Sequence, residues 1–142
     1  MKYEIEQLSV FLENRAGELA DLTEALSKNR VSIKSILLAD SSDFGLVRTI
    51  VDNPQKAKAV LEEAGFSVKL TKVFAVKIDD YIGSFNQVVS LLAKNGINIL
   101  YTYSFYESQS GVFIFSVNDI TKAIEILQEN SVEIMQAKHF YE

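Results

Sequence analysis

In the stretch "SVFLENRAGELADLTEALSKNRVSIKSI", residues 9–36, an apolar strand is followed by a polar turn, a helix and a second strand. Apolar and polar residues alternate at its start, which is the period of a β-strand. Leu19, Leu22 and Leu26 then recur at helical spacing. The stretch predicts a strand–helix–strand unit with Gly17 at the mouth of the helix.

The same pattern occurs a second time, 66 residues further along the chain. Many positions carry the same residue in both copies, and they include turn and helix-end positions as well as apolar ones. The matching pairs are Gly17 and Gly83, Lys28 and Lys94, Asn29 and Asn95, Ile33 and Ile99, Gly45 and Gly111, Val51 and Val117, Lys56 and Lys122, Ala57 and Ala123, and Leu61 and Leu127. The chain is therefore predicted to be one supersecondary unit written twice, at residues 1–72 and 73–142.

Each copy predicts the element order β-α-β-β-α-β. In the first copy, "SIKSILLAD" and "LVRTIV" are β-rich runs joined by the hairpin connection "SSDFG", and Asn53-Pro54 starts the second helix. In the second copy the elements are predicted at 73–79, 83–95, 97–106, 112–117, 119–130 and 132–138. With right-handed crossovers, this order predicts an α+β fold of two tandem ferredoxin-like units, each a four-stranded antiparallel sheet with helices on one face.

The junction "SVKLTKVFAVKID", residues 67–79, contains no Gly, Pro or Asn. The last strand of copy one is therefore predicted to continue as the first strand of copy two, so the units form a rigid pair instead of beads on a linker. Several strands are apolar on both faces, which predicts that the chain self-associates as a two-fold homodimer.

Composition restricts the function classes. The 142 residues carry a net charge of -5, no cysteine, and one histidine, His139. No cationic leader and no run of about 18 apolar residues is present, so the sequence predicts a cytoplasmic protein without a membrane partner. The charge disfavours nucleic acid as a partner, and the residue types predict no metal and no cofactor.

The sequence disfavours two other functions, catalysis and RNA binding. Catalysis lacks a positioned base or nucleophile, because His139 lies in a terminal "KHFYE" expected to be an exposed strand extension, and Asp79 and Asp80 are turn neighbours. An RNA-recognition motif shares the topology, and "GVFIFSV", residues 111–117, superficially resembles its aromatic strand. That strand is apolar on both faces, however, which is typical of burial and not of an open RNA platform.

The residues around both glycines resemble the ACT domain, a small amino-acid-sensing module. Asn14, Arg15, Ala16, Gly17 and Leu19 match its loop pattern, and "KNGINIL" in copy two matches its helix end and second-strand opening. The loop "DDYIGSF" of copy two departs from the pattern, because Tyr81 and Ile82 replace the basic residue and the proline. The resemblance covers essentially the whole chain as two units.

In ACT domains the glycine loop of one unit and the second strand of a neighbouring unit form an amino-acid pocket. The resemblance therefore implies three groups of ligand-binding residues, which are Asn14, Arg15, Ala16, Gly17, Glu18 and Leu19; Asp80, Tyr81, Ile82, Gly83 and Ser84; and Asn98, Ile99 and Leu100.

Chemistry gives several of these residues a role. Asn14 or Asp80 can accept a hydrogen bond from a ligand ammonium, Arg15 can clamp a carboxylate, and the Asn98 amide can serve either end of an amino acid. The missing Cβ of Gly17 and Gly83 lets a ligand or a partner's backbone approach the helix mouth. The alternative is that these residues only stabilise tight turns.

The functional expectation is a non-catalytic sensor that binds a free amino acid at clefts between units and regulates a partner enzyme. The alternative is an ACT-type association protein without a ligand. The aromatic strand "INILYTYSFYE", residues 97–107, is expected to be an association surface whose first residues reach the pocket.

Overall fold

The computed structural model describes residues 2–40 and 43–142, and it divides the chain into two compact units. The N-terminal unit consists of residues 6–71 and 140–142, and the C-terminal unit consists of residues 2–5 and 72–139. Each unit thus combines one copy of the repeat with a short segment from the opposite end of the chain.

The N-terminal unit follows the predicted element order. Its elements are β1 (Ile5–Glu13), α1 (Glu18–Lys28), β2 (Ile33–Asp40), β3 (Phe44–Val51), α2 (Pro54–Glu63) and the first part of β4 (Ser67–Ile78). Neighbouring strands follow the order β2-β3-β1-β4. Strand β3 is antiparallel to both of its neighbours, with Thr49 opposite Leu8 on β1 and Ile36 on β2. The predicted connection between β2 and β3 includes Ser41 and Ser42, which lie outside the described residues.

One face of this sheet packs against both helices. The buried core combines Leu22 and Leu26 of α1 with Leu61 of α2 and residues of β1 and β3. Helix α2 begins as the sequence predicts, because the Asn53 side chain accepts a hydrogen bond from the Lys56 amide at 3.2 Å and proline follows it.

The C-terminal unit repeats this arrangement. Its elements are the second part of β4, α3 (Ser84–Lys94), β5 (Ile99–Glu107), β6 (Ser110–Val117), α4 (Ile120–Glu129) and the short 3₁₀ helix η1 (Ala137–His139). The strand order is β4-β6-β5. Its buried core includes Phe74, Leu92, Phe115 and Leu127, contributed by the sheet and both helices.

Strand β4 serves both units. It runs without a break for 12 residues, of which residues 67–71 belong to the N-terminal unit and residues 72–78 to the C-terminal unit. The predicted continuation of one strand across the junction is confirmed.

The strand predicted at residues 132–138 does not form. Ile134 makes a single β-bridge with Val76, where the Met135 amide donates to the carbonyl of Ala75 and the Lys77 amide donates to the carbonyl of Glu133. The chain then leaves β4, because the amide of Ala137 donates to the carbonyl of Lys2 at 2.9 Å. The prediction of a fourth full strand in the C-terminal unit was therefore wrong.

The chain end was also predicted wrongly as a strand extension. His139 lies in η1, and its Nε2 is 2.9 Å from a carboxylate oxygen of Glu107. Phe140 and Tyr141 continue no strand: Phe140 is buried, and the Tyr141 hydroxyl accepts a hydrogen bond from the Glu6 amide. Hydrogen bonds with the backbone of Lys2 and Glu6, near the N-terminus, thus replace the strand pairing that the sequence predicted.

Candidate functional site

The two glycine loops have the same backbone. Loop one (residues 13–17) joins β1 to α1, and loop two (residues 79–83) joins β4 to α3. Three backbone hydrogen bonds of loop one recur in loop two at the same offset of 66 residues. In loop two the Tyr81 amide donates to the Asp79 carbonyl at 3.1 Å. The Ser84 amide donates to the Tyr81 carbonyl at 3.2 Å, and the Gln87 amide donates to the Gly83 carbonyl at 3.0 Å. The repeat in sequence is therefore a repeat in local structure.

The backbone conformation of the two loops explains why each contains a glycine. Gly17 has φ 93° and Gly83 has φ 91°, a left-handed backbone that side chains with a Cβ rarely adopt. A Cβ built at either position meets no atom of the chain within 4 Å. The turn alone thus requires glycine, and no segment of the described chain presses against either residue. The close approach of a ligand there stays a prediction.

Loop one brings charged side chains together. Oε1 of Glu18 lies 2.6 Å from Nη2 of Arg15 and 2.7 Å from its Nε, and Oε2 of Glu13 lies 3.4 Å from the same Nε. The hydrogen bond to Glu18, with the negative charges of Glu13, Glu18 and Asp21, raises the pKa of Arg15. The Arg15 guanidinium, predicted to clamp a ligand carboxylate, is therefore paired with a carboxylate of its own chain.

Loop two contains no such ion pair. Ser84 occupies the position equivalent to Glu18, and its hydroxyl lies 2.6 Å from the carbonyl oxygen of Asp79 and 2.9 Å from that of Tyr81. Tyr81 occupies the position equivalent to Arg15, and its hydroxyl donates to Oε1 of Gln87 at 3.2 Å. These contacts hold the loop by neutral hydrogen bonds.

A cavity of about 360 Å³ opens beside loop two. Its walls come from loop two, the first turn of α3, and the facing ends of β5 and β6. The lining residues are Ile78, Asp79, Asp80, Tyr81, Gly83, Ser84, Phe85, Asn86, Ser104, Phe105, Tyr106, Gly111 and Phe113. The lining combines two carboxylates with five aromatic rings and contains no Lys or Arg.

Strand register explains why β5 and β6 reach loop two. Gly111 on β6 pairs with Ile78, the last residue of β4, and also with Tyr106 on β5. The turn between β5 and β6 therefore lies at the same end of the sheet as loop two. On β5, the exposed residues Ser104 and Tyr106 pair with Phe113 and Gly111 and share their face of the sheet. The sequence interpretation missed the site residues Ser104, Tyr106, Gly111 and Phe113, although hairpin pairing between the two predicted strands could have indicated them.

The structure separates Asn98, Ile99 and Leu100 from loop two. They lie where β5 begins, and Ile99 pairs with Val117 at the opposite end of β6 from Gly111. The Asn98 amide donates to the Asn118 side chain at 3.0 Å, and the Asn118 amide donates back to the Asn98 carbonyl. Within the C-terminal unit these residues and loop two therefore belong to different ends of the sheet.

The remaining predicted residues divide by exposure. Asn14 and Ala16 in loop one are exposed, and so is Leu19 in the first turn of α1. Ile82 is fully exposed and is absent from the lining of the cavity beside loop two, whereas Asp80, Tyr81, Gly83 and Ser84 line it. Four of the five residues predicted from the second loop thus share one cavity.

Strand β6 is buried on both faces, as the argument against an RNA platform expects. Phe115 belongs to the core beneath the helices, and Val112 and Ile114 on the other face have no exposed surface. Across residues 2–40 and 43–142, no group of three or more His, Cys, Asp or Glu is placed to hold a metal ion. No helix within those same ranges is long and apolar enough to cross a membrane.

Solved structures resemble this chain over nearly its whole length. Protein BT0572 from Bacteroides thetaiotaomicron is 32% identical, and the match covers 99% of this chain and 98% of that chain with a TM-score of 0.94. The ligand-free regulatory subunit of aspartate kinase from Thermus thermophilus is 15% identical, with coverage of 91% and 93% and a TM-score of 0.66. The corresponding subunit from Thermus flavus is 15% identical, covers 90% of each chain and has a TM-score of 0.65.

The two aspartate kinase subunits share the fold with this chain at low identity. No curated protein matches the chain. The sequence profile of the ACT domain pair matches residues 3–142, which is almost the entire sequence. The chain therefore belongs to the ACT domain pair family.

Proposed function

We propose that this protein is a non-catalytic sensor that binds a free amino acid in the cavity beside loop two and transmits its occupancy to a partner enzyme. The observation that carries the proposal is that cavity, whose volume of about 360 Å³ lies within the range of about 300–1,000 Å³ usual for small-ligand sites. Its lining offers separate groups for the two charged ends of an amino acid and for an apolar side chain.

The charged ends of the ligand find complementary groups. Asp79 and Asp80 supply carboxylates for the ammonium group. The first turn of α3 carries the positive end of the helix dipole, which favours a carboxylate, although its Ser84 amide already donates to Tyr81. A free amino acid carries one positive and one negative group, and these are the charges that the two sets of groups complement.

The side chain of the ligand meets aromatic rings. Phe85 and Phe113 stand 4.7 Å apart at one wall, and Tyr106 lies on β5 across from Gly111. With no cationic side chain in the lining, an acidic side chain would meet only Asp79 and Asp80 and be repelled. We therefore propose an amino acid with an apolar or aromatic side chain.

The family and the fold support a regulatory role. The protein belongs to the ACT domain pair family, and similar folds occur in regulatory subunits of aspartate kinase. In the proposed function, the chain forms a homodimer, and the bound amino acid changes the affinity for a regulated enzyme by binding one conformation better than another.

A thermal-stability screen against the twenty amino acids tests the proposal. At 100 times its dissociation constant a ligand adds about 2.7 kcal/mol to the free energy of unfolding, which raises the melting temperature by several degrees. We expect stabilisation by apolar or aromatic amino acids and none by aspartate or glutamate. If no amino acid stabilises the protein at millimolar concentration, the alternative of an association protein without a ligand replaces the proposal.

A further inference from the structure

The two loops have the same backbone but differ at the first residue of the following helix, which is Glu18 in α1 and Ser84 in α3. We propose that the Glu18 carboxylate occupies Arg15 as a built-in substitute for a ligand carboxylate, so that loop one binds no free amino acid. The chain then has one amino-acid site, which lies beside loop two. That there is one site rests on the proposed function, whereas the pairing of Arg15 with Glu18 in loop one does not.

The contacts of Glu18 are those expected of a bound carboxylate. One oxygen receives hydrogen bonds from both Nη2 and Nε of Arg15, at 2.6 and 2.7 Å. The Glu18 side chain is only 11% exposed, although that of Arg15 is 67% exposed. The carboxylate also belongs to the first turn of α1, where the helix dipole favours negative charge. Glu18 thus holds the cation that a free ligand would need and adds a negative charge to the first turn of α1.

The surrounding charges oppose a second anion. Glu13 lies 3.4 Å from the Arg15 Nε, and the negative charge of Asp21 also acts on Arg15. Two carboxylates therefore contact one guanidinium, and a third lies in the first turn of α1. An incoming ligand carboxylate must displace Glu18 and approach the remaining acidic groups, both of which cost free energy.

Loop two lacks this closure. Ser84 is neutral, and its hydroxyl is engaged with loop carbonyls. Tyr81 replaces the arginine, so loop two has no cation for its own carboxylates, Asp79 and Asp80, to neutralise. A cavity of about 490 Å³ beside loop one includes Arg15 and Glu18 in its lining, so the difference at positions 18 and 84 is one of charge pairing and not of space.

Arginine side-chain NMR with acetate as the probe tests the closure directly. The Nε–H resonance of Arg15, assigned with Arg15→Lys, is followed during an acetate titration of the parent protein and of Glu18→Ser. We expect Glu18→Ser to bind acetate at Arg15 at least tenfold more tightly than the parent. Glu24→Ser is the matched control, because it removes another carboxylate of α1, one paired with Lys28 at 3.2 Å, and leaves Arg15 paired.

An equal response of parent and Glu18→Ser, or no response at Arg15 in Glu18→Ser, would overturn the proposal. Glu18→Gln keeps the side-chain size and removes the charge, so it replaces Glu18→Ser in the titration if the serine variant does not fold. This readout is independent of loop two. If no amino acid stabilises the parent protein, the proposed function fails while the Arg15 result still decides whether loop one is closed.

Discussion

The rings of Phe85 and Phe113 lie 4.7 Å apart and form one wall of the cavity beside loop two. A Cβ added at Gly111 would lie 3.1 Å from Cε1 of Phe113 and 3.4 Å from the carbonyl oxygen of Ile78. Because the Phe113 ring also packs against Phe85, Gly111→Ala forces an overpacked contact. We expect it to lower the free energy of unfolding by about 1–3 kcal/mol, measured by urea denaturation.

Gly45→Ala is the matched control, because Gly45 is the equivalent position of the N-terminal unit. A Cβ there would lie 3.3 Å from Cδ1 of Leu38, a side chain that is half exposed and free to move away. We expect a smaller loss at Gly45 than at Gly111. Equal losses would show that the wall of the cavity is as yielding as an exposed edge.

The loop glycines give a second prediction. Gly83 has φ 91°, and space for a Cβ is open. Gly83→Ala therefore costs about 1–2 kcal/mol through backbone strain alone, whereas Gly83→Asn costs less because asparagine tolerates the left-handed region. The same order is expected at Gly17. Urea denaturation of the alanine and asparagine variants measures it, and an alanine variant as stable as the parent would contradict the conformational explanation.

The pH dependence of stability is predicted at Tyr141. Burial raises the pKa of its hydroxyl, and the negative charge of Glu6 raises it further, although the hydrogen bond from the Glu6 amide acts in the opposite direction. Because the folded-state pKa is raised, the contribution of the neutral hydroxyl is complete below the unfolded value of about 10 and is lost as pH rises through the folded pKa.

Comparison with Tyr141→Phe isolates this effect. The difference in free energy of unfolding between the parent and Tyr141→Phe is expected to stay constant below pH about 10 and to shift against the parent above it. Urea denaturation at a series of pH values measures the difference. A difference that does not change across this range would contradict the raised pKa.

Much of the fold is predictable because its signals are local or repeated. The 66-residue repeat predicts the element order, and the absence of turn residues between 67 and 79 predicts the continuous strand β4. The Asn53-Pro54 pair predicts the start of α2. Each of these signals depends on residues close together in the chain or on a comparison of the chain with itself.

The errors arise where partners are distant in sequence. The apolar pattern at residues 132–138 suits a strand, but the Ala137 amide bonds with Lys2 and the Tyr141 hydroxyl with Glu6, more than a hundred residues away. The periodicity of apolar residues in the sequence does not indicate such contacts. The end of the chain therefore required the structure.

The candidate site was predictable only in part. The loop residues follow from the pattern around Gly83, but Ser104 and Phe113 reach them only through the register of β5 and β6. The pairing of Arg15 with Glu18 has a sequence signal, since residues three apart at a helix start are neighbours. The geometry of the loop determines which carboxylate pairs with Arg15.

Filling the cavity beside loop two tests whether the amino acid binds there. Ser104→Trp places an indole in the cavity, whereas Thr102→Trp places one two residues along on the same exposed face of β5, outside the lining. Thermal unfolding of the parent and both variants is measured with each of the twenty amino acids. We expect the amino acids that raise the melting temperature of the parent and of Thr102→Trp by several degrees to leave Ser104→Trp unchanged. If no amino acid distinguishes the two tryptophan variants, the claim is contradicted.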